Sequence, residues 1–74
     1  MSLEIAFGKV LRTLRDEANL SQEKLALQCD LDRTYISMLE RGKRQPSLNT
    51  IFTLARELEV KPEELVKMVS RANR

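Results

Sequence analysis

Residues that start and stop helices recur along this sequence at intervals too short for any long helix. Ser21, Asp32 and Ser47 each offer a side-chain oxygen that can accept from an orphan N–H at a helix start. Pro62 suits the first turn of a further helix, with Glu63 and Glu64 complementing its dipole. Asn19 suits a helix exit, and Gly42 stops the segment before it. The spacing therefore predicts a first helix ending near Asn19, a second over Gln22–Cys29 and a third from Arg33 to about Arg41. A fourth follows Ser47 and a fifth begins at Pro62. With few β-branched runs, the expected fold is all-α: a compact five-helix bundle.

The apolar residues repeat at helical spacing in each segment. Leu3, Phe7, Val10, Leu11 and Leu14 share one face of the first helix, while Lys9, Arg12 and Asp16 lie elsewhere. Leu25, Ala26 and Cys29 point inward from the second, with Cys29 standing where a small buried apolar residue belongs. Leu48, Ile51, Leu54, Ala55 and Leu58 are expected to face the core from the fourth, and Leu65, Met68 and Val69 from the fifth. Phe52 and Val66 fall off these stripes. They belong either to deeper packing or to a two-fold interface, and the interface is the preferred reading. At 74 residues the core is marginal without help. One cysteine and no histidine exclude an internal disulfide and leave no expected metal site, so self-association is the remaining aid.

Several function classes are excluded at this stage. No apolar run approaches a membrane span, and the N-terminus lacks a signal-peptide pattern, so a cytoplasmic protein is expected. Without histidine, a nucleophile–base pair or a glycine-rich phosphate loop, no catalytic residues, cofactor or small-molecule substrate are expected. A net charge of +2 permits a nucleic-acid partner without arguing for one, so the distribution of charge has to decide.

The third helix carries that distribution. At about 100° per residue, Ile36 and Leu39 share one side, and Thr34, Ser37, Met38 and Arg41 the other, with Arg33 at the edge. The outward face holds hydroxyls, a thioether and cations, with no acidic residue. A major groove accepts such a face: Arg can grip guanine bidentately, Thr can touch a thymine methyl, and Ser is tolerant. Ser21 and Gln22 open the second helix, whose N-terminus favours phosphate. Lys43 and Arg44 follow the third helix, where the flanking backbone would pass. Composition alone favours an ordinary solvated face for Arg33, Thr34 and Ser37, and only the flanking motif reverses that; Met38 could equally cover a partner surface. Asp32 is read as a cap, since a carboxylate near phosphate opposes binding. Tyr35 is read as packing its ring on the core with its hydroxyl outward.

The run Ser21-Gln-Glu-Lys-Leu-Ala through Leu31-Asp-Arg-Thr-Tyr-Ile-Ser-Met-Leu-Glu-Arg-Gly-Lys-Arg-Gln-Pro-Ser resembles the phage-repressor-like (Cro/C1, XRE) helix-turn-helix family. The stretch Leu31-Asp-Arg-Thr-Tyr-Ile-Ser is also similar to the controller proteins of restriction–modification systems. The resemblance implies a lambda-repressor-like domain over residues 1–74, with the helix-turn-helix at about 22–41 and a dimerisation region at about 48–70. It implies base reading by Arg33, Thr34, Ser37 and Met38, and backbone contacts from Gln22, Tyr35, Arg41, Lys43 and Arg44. Arg15 and Glu40 would form the family's ion pair between first and third helices, and Phe52 and Val66 would meet a second copy. Two positions depart from the family pattern: Asp30 stands where glycine is common, and Lys24 where glutamate would complete a capping box.

The expected function is that of a transcriptional regulator, such as a repressor, that binds a pseudo-palindromic operator in double-stranded DNA as a homodimer. The alternatives are an antitoxin or other protein-interaction module, and the DNA-binding part of a longer regulator.

Overall fold

The computed structural model describes residues 1–74 and contains five helices with no strand: α1 (Leu3–Glu17), α2 (Gln22–Cys29), α3 (Arg33–Glu40), α4 (Leu48–Glu57) and α5 (Pro62–Ala72). The expected caps are in place. Ser21 Oγ accepts from the Lys24 N–H at 3.0 Å, Asp32 Oδ1 from the Thr34 N–H at 3.0 Å, and Ser47 Oγ from the Thr50 N–H at 3.1 Å. Ser2 does the same for α1, accepting from the Ile5 N–H at 3.2 Å, a role the sequence reading did not assign. α5 has no side-chain cap and begins on Pro62, whose missing N–H removes one orphan donor.

Four helices end alike. Asn19, Asp30, Gly42 and Glu59 all take positive φ, between 56° and 72°, which turns the chain back on itself. The next N–H then reaches back into the helix: Leu20 to Arg15 at 3.1 Å, Leu31 to Ala26 at 2.8 Å, Lys43 to Met38 at 2.9 Å and Val60 to Ala55 at 2.9 Å. In three of these exits the donor (Leu20, Leu31 or Val60) also packs its apolar side chain against the core. That contact holds a non-glycine residue in a region that costs it about 1–2 kcal/mol. Asn19 and Gly42 were expected at exits, and Asp30 at the turn position where glycine is common. Glu59 was not.

Every helix supplies at least one fully buried side chain: Leu11, Leu25, Ile36, Leu39, Leu54 and Leu65. Cys29 is buried among them, and burial pushes its thiol up to about 11, so it stays protonated at neutral pH. Two expected core residues are not there. Leu3 is 56% and Leu48 70% exposed. Each is the first residue of its helix, and side chains lean toward the N-terminus. Leu3 and Leu48 therefore project past the end of the core, although their angular positions are apolar.

Gly8 sets how closely α1 approaches α3. A Cβ there would lie 2.5 Å from the Glu40 carbonyl oxygen and 2.6 Å from that of Leu39. These are backbone atoms at the end of α3 and cannot move aside cheaply. Gly42 is tight too, with Ile5 Cγ1 2.8 Å from where its Cβ would stand.

Glu59→Gly should stabilise the fold. It removes about 1–2 kcal/mol of left-handed strain and restores about 0.5–1 kcal/mol of backbone entropy to the unfolded chain. The expected net gain is about 0.5–1 kcal/mol, seen as a rise of several degrees in Tm; an unchanged or lower Tm would show that Glu59 is not strained.

Candidate nucleic-acid interface

α2, the left-handed Asp30 and α3 form a helix–turn–helix whose two helices both pack into the core. The orientation of α3 is fixed at its last residue. Glu40 is its C-terminal residue, and its side chain is only 4% exposed. Arg15 of α1, 12% exposed, grips it with two bonds: Nε to Oε2 at 2.6 Å and Nη2 to Oε1 at 3.1 Å. The remaining guanidinium nitrogen, Nη1, donates to the Leu20 carbonyl at 2.7 Å. The hydrogen bonds to Glu40 hold the Arg15 pKa above its ordinary value against the opposing effect of burial. The pair expected between Arg15 and Glu40 is therefore present, buried and bidentate.

Gln22 differs from expectation. Its Nε2 donates to Glu40 Oε1 at 3.0 Å, so this amide joins α2 to the same carboxylate. Its side chain is half-buried and already engaged. What α2 offers an anion at this end is its main chain. Ser21 occupies the Lys24 N–H, and helix geometry leaves the N–H groups of Gln22 and Glu23 without intrahelical acceptors. The sequence signal for Gln22 as a tether was its proximity to the helix start, which fits both roles equally.

On the outer side of α3, Arg33 and Thr34 are exposed, and Ser37 and Met38 are half-buried. Asp32, which precedes Arg33, has its Oδ1 turned onto the Thr34 N–H, in keeping with a cap. Arg41 is exposed, with Nε 3.4 Å from the Ser37 carbonyl. Lys43 and Arg44 are exposed in the following loop, and the Arg44 guanidinium carbon lies 5.7 Å from the centre of the Tyr35 ring. Tyr35 is half-buried against the core, as expected of its ring. The nine residues assigned to DNA thus all lie on α2, α3 or the loop directly after it.

A second surface is apolar. Phe52 is 55% and Val66 50% exposed, so neither belongs to the core. With Leu48, Ile51 and Pro62 they line a shallow apolar groove between α4 and α5. A neighbouring groove, bordered by Leu3, Phe7, Pro46 and Val69, shares Ile51 and Val66 with it. No helix is long and apolar enough to cross a membrane.

Residues 11–65 match the helix-turn-helix family. The chain belongs to that family. Its relatives there include control proteins: control protein C.BamHI of Bacillus amyloliquefaciens is 42% identical, over 97% of this chain and 90% of the relative. The crystal structure of the restriction–modification controller protein C.AhdI from Aeromonas hydrophila superposes with a TM-score of 0.81 at 47% identity, covering 84% of this chain and 94% of that one. The controller protein C.Esp1396I, solved as a tetramer with its natural 35 base-pair operator, gives a TM-score of 0.86 at 30% identity over 97% of this chain and 95% of that one. This helix-turn-helix protein thus has controller proteins as relatives along nearly its whole length.

The buried pair gives a direct stability test. Arg15→Met leaves the Glu40 carboxylate buried with only Gln22 to hold it, and should cost about 3–5 kcal/mol in chemical denaturation. Arg15→Met combined with Glu40→Met should recover most of that loss. A single substitution as mild as a surface pair, about 1 kcal/mol or less, would mean that water reaches the carboxylate.

Proposed function

We propose that this protein is a sequence-specific regulator of transcription that binds a pseudo-palindromic operator in double-stranded DNA as a homodimer. The observation that carries the reading is the outer face of α3. Arg33, Thr34, Ser37 and Met38 stand there without an acidic neighbour on that face, on a helix tied to α1 and α2 at its far end. Such a helix can enter the major groove with its N-terminal residues toward the base edges. Arg33 is assigned to a guanine, Thr34 and Ser37 to neighbouring edges, and Met38 to an apolar contact such as a thymine methyl. The helix N-terminus of α2, with Arg41, Lys43 and Arg44, is assigned to phosphates on either side, and Tyr35 lies beside them.

The homodimer is supported by the exposed Phe52 and Val66 and their grooves, and by the tetrameric C.Esp1396I–operator complex of a relative. In this reading the chain acts as one unit, 22–41 meeting DNA and 48–70 meeting the second copy. A two-fold partner would place the two α3 helices about 34 Å apart, in successive major grooves. The activity is binding, with no chemical step, and its place is the cytoplasm, where bacterial operators are. Occupancy would block polymerase or offer it a contact.

Arg33→Ala tests the assignment of the reading head. It should lose about 1–3 kcal/mol on the specific operator and relax preference at one base position, with little change on unrelated duplex. Quantitative binding to the operator and to single-base variants measures both effects. An equal loss on every sequence would move Arg33 to the phosphate backbone.

A further inference from the structure

Tyr35 and Arg44 are nine positions apart in sequence and were assigned above as separate neighbours of the backbone. The fold places the Arg44 guanidinium 5.7 Å from the Tyr35 ring centre, within cation–π range. The loop that carries Arg44 is fastened on both sides of it. Before it, the Gly42 and Lys43 N–H groups donate to the Leu39 and Met38 carbonyls at 3.2 and 2.9 Å. After it, Gln45 Nε2 donates to Glu4 Oε2 at 3.3 Å. The ring is fixed as well, packed half-buried on the core. The ion pairs of the fold involve Arg12, Arg15 and Arg56, so no carboxylate neutralises Arg44.

This difference has a chemical consequence. A carboxylate partner would occupy the guanidinium's N–H donors and cancel its charge. An aromatic face attracts the cation but takes none of those donors. It restricts where a long side chain goes while leaving its charge and hydrogen-bonding edge available. We propose that Tyr35 is a positioning residue for Arg44: the ring holds the guanidinium at the edge of α3, ready for a phosphate beside the bases that α3 reads. Tyr35 then acts on DNA affinity through Arg44 and not chiefly through its own hydroxyl. The inference rests on the DNA-binding reading.

The test is a double-substitution cycle on the full chain, using a labelled mixed-sequence duplex of about 30 base pairs, titrated at several salt concentrations. Arg44→Ala should weaken binding on all sequences and reduce the salt slope by about one. Tyr35→Leu should weaken binding about two- to fivefold when Arg44 is present. It should have no effect in the Arg44→Ala background, which a general loosening of α3 would not spare. Tyr35→Phe keeps the ring and should stay within about twofold of the parent. Independent, multiplicative effects of Tyr35→Leu and Arg44→Ala would overturn the coupling and leave the DNA reading intact, as would a Phe variant as weak as the Leu one. Failure of the parent protein to bind any duplex would overturn both. The contact is also readable without DNA, because the Arg44 guanidinium lies over the face of the Tyr35 ring. Ring-current shifts on the Arg44 side-chain protons should appear in the parent and in Tyr35→Phe. Their absence from the parent would overturn the proposal even if Tyr35→Leu failed to fold.

Discussion

The Glu40 carboxylate holds this structure to one arrangement of its helices. It sits at the C-terminal end of α3, where the helix dipole disfavours negative charge and burial removes water. Such a group is tolerable only if it is gripped, and the grip comes from two other helices: Arg15 from α1 and Gln22 from α2. The same end of α3 meets Gly8, where the absence of a side chain lets α1 lie against the Glu40 and Leu39 carbonyls. Polar and steric constraints thus act on one turn of one helix. A buried pair of this kind adds little net stability over an apolar pair, but removing either partner strands the other, which penalises any other register of α1 on α3. The outer face of α3 is aimed by contacts that lie outside it.

Much of this was legible in the sequence because it is local. Ser21, Asp32, Ser47 and Pro62 start their helices where their chemistry says they should, and the apolar spacing places nearly all of the core. The Arg15–Glu40 pair joins α1 to α3 across 25 residues of sequence, and only the resemblance to a family made it visible. The features that escaped are those in which a residue's role is set by tertiary contact. Gly8 carries no signal of its own inside a helical pattern, although its missing side chain lets α1 lie against the end of α3. Gln22 has the right place and chemistry for a phosphate, but a buried carboxylate within reach claims its amide. Leu3 and Leu48 have apolar azimuths, yet they project beyond the ends of the core. Glu59 lacks turn chemistry of its own. The signal that could have found it lies one residue later, in Val60, which repeats the apolar exit residue seen at Leu20 and Leu31.

The molecule presents two chemically distinct surfaces. One is cationic and hydroxylic, built on α3 and the loop beyond it; the other is apolar, between α4, α5 and the start of α1. The loop after α3 borders both, since Pro46 lines an apolar groove two residues from Arg44. A small domain with a marginal core would gain from covering the second surface, and a two-fold partner seated there would double the first. In the proposed reading, phosphate contacts from Lys43, Arg44 and the α2 terminus would supply affinity without sequence preference, and the α3 face would supply the preference.

Selection of bound fragments from a randomised duplex pool, followed by sequencing, tests the central claim most directly. The account predicts enrichment of an inverted repeat whose half-site centres lie about one helical turn apart, which requires both the α3 reader and a two-fold partner. Absence of any enriched sequence at low salt and micromolar protein would contradict it, and the exposed face of α3 would then need another partner.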